Sequence, residues 1–143
     1  MIDADAFAME EAFNLLCGDL IGESNRKVFA CKIDPTLVVK IEKDPANMFQ
    51  NAHEYRAWTE TQTYKAAADW LAPCVAISTH GLVLLQKRVE PVPRDQLPAK
   101  LPSFLVRDLK QSHFGMYEGR LVCCDYAMLA DILPMRLKNA DWS

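Results

Sequence analysis

Apolar and polar positions alternate in distinct ways along this chain, and the changes mark its elements. In ADAFAMEEAFNLL (residues 4–16), Met9, Phe13 and Leu16 recur at helical spacing, which predicts a short N-terminal helix packing on that face. From Cys17 the pattern shifts to strands. Residues 17–23 and 27–33 flank the polar turn Ser24-Asn25-Arg26, and Asp34-Pro35 makes a second turn. The β-branched run TLVVKIE (36–42) then reads as a central strand, with Lys40 on the same side as Val38 and Glu42. Residues 44–66 read as a helix opened by Asp44-Pro45. Glu54 sits among His53, Tyr55 and Trp58, a crowded turn in which a carboxylate wants a cation.

Two further strands are predicted at 74–78 and 82–89, joined at His80-Gly81, and the second is apolar enough to be buried on both faces. Glu90–Pro93 is extended. In 94–105, Pro98 and Pro102 leave room for a turn or two of helix at most. FGMY and LVCC form a hairpin around Glu118-Gly119, with Asp125 at its end. In the tail, Met128, Leu129, Ile132 and Leu133 predict a short amphipathic helix before Pro134.

Composition narrows the class. The 143 residues are half hydrophobic and 24% charged, the balance of one ordinary globular domain. A net charge of −3 argues against nucleic acid or anionic lipid as a partner. No apolar run approaches the ~20 residues of a membrane helix. The acidic opening MIDADAFAMEEAF is unlike a secretion signal, which starts basic. Five cysteines without C-x-x-C spacing read as small buried residues of a reducing, cytoplasmic compartment.

The candidate chemistry lies in VRDLKQSHFGMYEGRLVCCDYA (106–127), where a hairpin brings two carboxylates, Asp108 and Asp125, toward one another. Paired carboxylates hold Mg²⁺ and position a hydroxyl beside a phosphate. Together with the preceding order, this resembles the protein-kinase-like fold over Gly18–Ala127. That order is a hairpin with a glycine turn, a strand with Lys40, a helix with Glu54, a second hairpin, an extended linker, and the loop RDLKQSH.

The resemblance implies an α+β fold: a kinase-like N-lobe antiparallel sheet with one main helix (1–90), and a reduced C-lobe carrying the catalytic-loop hairpin (91–143). It implies a single kinase-like domain that binds ATP and Mg²⁺. In LIGESNRKVF, Gly22 and Ser24 would stand in the phosphate loop and Val28 over the adenine. Lys40 would grip the α- and β-phosphates, held by Glu54. The hinge, Gln86 to Glu90 with Arg88 and Val89 inside it, would offer backbone groups to the adenine edge. Asp108 would take the proton of the acceptor hydroxyl and Lys110 would neutralise the γ-phosphate. Asp125 would hold the metal, with His113 in place of the family's asparagine.

The departures are Ser24 at the second glycine position, no third glycine, His113, and a C-terminal part too short for the family's lobe helices and activation segment. Two functions follow. One is phosphate transfer to a small molecule or a protein hydroxyl. The other is an inactive kinase-like protein that binds another protein, or a second copy of itself, through the surface the missing helices would have covered.

Overall fold

The structure, a computed structural model, describes residues 3–44, 49–107, 109–129 and 131–142. Two compact units divide the chain: Met1–Asn51 with Val75–Arg88, and Ala52–Cys74 with Val89–Ser143.

Helix α1 (Ala4–Leu16) is capped by the Asp3 carboxylate, which accepts the Asp5 and Ala6 N–H groups at 3.0 and 3.4 Å. It runs directly into β1 (Cys17–Glu23), followed by β2 (Arg26–Cys31) and β3 (Leu37–Glu42). Between β2 and β3, the Asp34 side chain accepts from the Thr36 N–H (2.9 Å) and hydroxyl (2.6 Å). These bonds hold its carboxyl below the usual carboxylate range. Helix α2 (Gln50–Thr61) separates β3 from β4 (Cys74–Ile77) and β5 (Val83–Lys87). Its start is later than the predicted residue 44, and Pro45 lies outside the described residues. The five strands form one sheet in the order β1-β2-β3-β5-β4.

The register fixes the two faces of this sheet. Val28 pairs with Lys40 and Lys40 with Leu84, while Ala30 pairs with Val38 and Val38 with Gln86, so these share a side. Phe29, Val39 and Leu85 form a row on the other side, beside Lys27, Ile41 and Val83. There Cys17, Cys31, Leu37 and Val39 make a buried cluster against Leu16, Phe29, Ile41, Val83 and Leu85. Phe13 of α1 meets Phe29 edge to face at 5.3 Å. The predicted inward face of α1 is only partly realised, since Met9 is 74% exposed and the helix buries no residue fully. Strand β5 also differs from the prediction. Its burial alternates rather than running through, because the polar Gln86 occupies a fully buried position beside half-buried Leu85 and Lys87.

In the second unit, α3 (Lys65–Ala68) precedes β6 (Glu90–Pro91), β7 (Lys100–Pro102), β8 (Phe114–Tyr117), β9 (Arg120–Cys123) and β10 (Leu137–Asn139). A sheet of order β6-β8-β9 carries the predicted hairpin. Tyr117 pairs with Arg120, so Glu118 and Gly119 are the whole turn, with φ of 49° and 79°. Two positive values make a type I′ turn, whose twist matches that of the flanking strands. Gly119→Ala is expected to cost about 1 kcal/mol in chemical denaturation, because an L side chain resists that conformation.

The tail corrects the prediction. Among the described residues after Asp125 there is no helix. Met128 and Leu133 are exposed, and β10 instead pairs antiparallel with β7, Leu137 opposite Pro102 and Asn139 opposite Lys100. Pro134 contributes to this, because a proline drives the residue before it away from helical backbone. Trp142 closes the tail by donating its indole N–H to the Pro98 carbonyl (2.8 Å) and packing edge to face on Phe114.

Candidate functional site

The sheet face that carries Val28, Val38 and Lys40 is where the first unit gathers its share of the predicted site. Gly22 stands opposite Val28, and Val28 opposite Lys40. Ser24 lies in the β1–β2 turn, its N–H donated to the Arg26 carbonyl at 2.9 Å. Lys40 is 4% exposed, so its charged head is held against protein rather than in water. A polar network braces its strand. Asn51, at the start of α2, donates from its side-chain amide to the Lys40 carbonyl (3.0 Å) and accepts from the Arg26 guanidinium (3.0 Å). The Asn51 backbone N–H donates to the Glu42 carboxylate at 2.6 Å.

In the second unit, the base of the β8–β9 hairpin brings His113 and Asp125 together. The Cys124 N–H donates to the His113 carbonyl (2.7 Å), and His113 Nε2 lies 3.3 Å from Asp125 Oδ2. Both side chains are partly exposed, as a pair that meets a solute must be. Asp125 is followed by Tyr126, which is buried, and the Tyr126 N–H donates to Glu54 Oε1 at 2.7 Å. Glu54, fully buried on α2, is therefore part of the setting of Asp125. The Tyr126 hydroxyl donates to the Ala72 carbonyl (2.6 Å), with Cys74 Sγ 3.1 Å away.

Behind Asp125, the Cys123 thiol donates to the Asp125 carbonyl at 3.4 Å. Complete burial, and then the neighbouring Cys124, push that thiol well above its ordinary pKa, so it stays protonated and remains a donor. None of the five cysteines, all of them described, is disulfide-bonded, and only Cys124 is not buried.

The other predicted residues fall as follows. Asp108 lies outside the described residues. Lys110 is exposed, just before the 3-10 turn Gln111–His113. The side chains of Arg88 and Glu90 are exposed, and Val89 is half-buried. The Arg88 N–H is already donated to the Thr36 carbonyl (2.8 Å), so this backbone donor of the predicted hinge is spent within the fold. Glu90 belongs to β6, opposite Met116. Arg88 belongs to the first unit and Val89 to the second.

Three residues outside the predicted set support the site. Asn51 and Tyr126 act as described. Gln111 ties the loop before the hairpin to the linker, donating to the Val92 carbonyl at 2.8 Å. The only advance signal for them was position: Tyr126 follows Asp125, and Gln111 lies in the loop before the hairpin. No groups of three or more His, Cys, Asp or Glu able to hold a metal alone occur among the described residues. Mg²⁺ does not require such a group, since one or two carboxylates suffice when substrate phosphates complete its shell. Asp125, half-buried and fixed at its backbone, fits that demand.

No protein-family model matches this sequence, and a search of curated proteins finds no match to it.

Proposed function

We propose that this chain is a small kinase-like protein that binds ATP with Mg²⁺ and transfers phosphate to a hydroxyl of a small molecule or a protein. The observation that carries the reading is the arrangement of the first unit. Its five strands order as β1-β2-β3-β5-β4, α2 is inserted between β3 and β4, and Lys40 stands on the same face as Val28. A buried lysine on such a face is suited to phosphate oxygens, and the apolar Val28 and Val38 to the flat faces of a base. Within this reading Lys40 holds the α- and β-phosphates, and Asp125 holds the metal, which screens the phosphate charge. Asp108 accepts the proton of the acceptor hydroxyl, and Lys110 stabilises the transferred group.

The second reading is a kinase-like protein without transfer activity that acts by binding another protein. One observation favours it: His113 Nε2, at 3.3 Å, competes for the Asp125 oxygen a cation needs.

A thermal-shift titration tests both. At 100 times the dissociation constant a ligand stabilises by about 2.7 kcal/mol, roughly 8 °C for a chain of this size. The expected result is a rise of several degrees at millimolar ATP with Mg²⁺. Asp125→Ala should lose the Mg²⁺-dependent part and keep the rest. No shift with or without Mg²⁺ would remove nucleotide binding from the account. A shift without turnover of ATP would leave the second reading.

A further inference from the structure

We propose that Tyr126 is a positioning residue whose two-ended clamp, N–H on Glu54 and hydroxyl between Ala72 and Cys74, fixes Asp125 for a divalent cation. This rests on the reading that Asp125 meets the metal.

A buried aromatic residue is usually core filling, and the ring of Tyr126 does fill core. Its polar atoms do more. A phenol carries one proton, and here that proton goes to the Ala72 carbonyl at 2.6 Å. The contact with Cys74 Sγ at 3.1 Å is then the thiol donating to the phenol oxygen. At the other end of the residue, the main-chain N–H reaches Glu54 Oε1 at 2.7 Å. The partners are Glu54 on α2 and the pair Ala72 and Cys74 at the entry to β4, so the residue is held by two separate stretches of chain.

Asp125 is the next residue back, and its own carbonyl accepts the Cys123 thiol. The peptide group that joins it to Tyr126 is therefore held at both its carbonyl and its N–H, while the Asp125 carboxylate remains one-third exposed. A carboxylate that must share a cation with mobile phosphates gains most when its own position is settled beforehand. Phenylalanine would fill the same space and keep the bond to Glu54, but it would release the hydroxyl end.

The test is a Mg²⁺ titration at saturating ATP, followed by thermal shift, alongside an ATP titration in EDTA. Tyr126→Phe is expected to weaken Mg²⁺ about tenfold, the usual scale for removing a partner that orients a metal ligand. ATP affinity in EDTA should change less than about twofold, since the clamp acts on the metal ligand alone. Cys74→Ala, which takes the thiol away from the phenol and leaves the bond to the Ala72 carbonyl, should move Mg²⁺ affinity in the same direction by a smaller factor. It serves as the readout if Tyr126→Phe does not fold. Gly119→Ala lowers stability elsewhere in the same hairpin and should leave Mg²⁺ affinity unchanged.

If wild type responds to Mg²⁺ and the clamp variants respond identically, the positioning role is overturned while the metal reading stands. If the variants lose Mg²⁺ and Mg²⁺-free ATP affinity together, or Gly119→Ala weakens Mg²⁺ equally, the effect is general destabilisation and the role is likewise overturned. If wild type shows no Mg²⁺ dependence, both ideas fail.

Discussion

Gly115→Ala is expected to lower stability by about 2–3 kcal/mol, the upper part of the range for overpacking a tight contact. The loss would appear as a fall of roughly 8 °C in the melting midpoint. A Cβ built at Gly115 would lie 2.4 Å from Val89 Cγ2, 2.7 Å from the Glu90 carbonyl oxygen and 2.8 Å from Val89 Cβ. Two of these are side-chain atoms of a β-branched residue with little rotamer freedom. The third is backbone, at the crossing where Pro91 pairs with Gly115 and Glu90 with Met116. The methyl group can be accommodated only if β6 moves off β8, which breaks that pairing. Val89→Ala in the same chain should restore less than half the loss, because Val89 Cβ and the Glu90 oxygen remain. Gly22→Ala is the comparison. Its added carbon would meet nothing nearer than Val28 Cβ at 3.7 Å, so its effect should stay within about 0.5 kcal/mol. A Gly115→Ala protein as stable as that control would mean that β6 does not run against β8 as described.

Gly115 also shows what a sequence withholds. The FGMY strand and its Glu118-Gly119 turn were legible, because a two-residue turn sets the register of both strands. Which segment crosses the other edge of β8 is a long-range matter, and nothing near Gly115 announces Val89. The same limit hid β7 and β10. Lys100–Pro102 and Leu137–Asn139 are three residues each, too short for an alternating pattern to emerge, and far apart in sequence.

The tail helix failed for the opposite reason, a pattern without the burial to realise it. Met128 and Leu133 have helical spacing with Leu129 and Ile132, yet both are exposed. Spacing predicts a helix only when some surface takes up its apolar face. The central sheet was the most legible part. Leu37–Glu42 is β-branched and flanked by clear turns, and its alternation set Lys40 apart from Val39 and Ile41 as observed. The structure has the mixed α+β class with a mostly antiparallel sheet that the resemblance implied. The polar groups that hold the site were not legible. Asn51 and Tyr126 gain their roles from partners far along the chain, Arg26 and Lys40 for one, Ala72 and Glu54 for the other.

Asn51→Ala is the second substitution with a large expected effect, about 3 kcal/mol. Losing a hydrogen bond to a charged group costs about 1.5–3 kcal/mol, and a neutral one about 1. The side chain is fully buried and makes one bond of each kind, accepting from Arg26 and donating to the Lys40 carbonyl. Alanine keeps the backbone bond to Glu42 and loses both others. Asn51→Asp separates the two. It offers Arg26 a charged acceptor but turns an oxygen toward the Lys40 carbonyl, and should cost less than alanine while remaining destabilising. In a double-mutant cycle with Arg26→Met, the coupling should exceed about 1 kcal/mol. Additivity within a few tenths would mean that the Arg26–Asn51 bond carries no weight. Because the amide holds the main chain of Lys40 itself, the ATP-dependent thermal shift should shrink in Asn51→Ala by more than it does in Gly115→Ala. Equal shrinkage in the two would detach Lys40 from nucleotide binding.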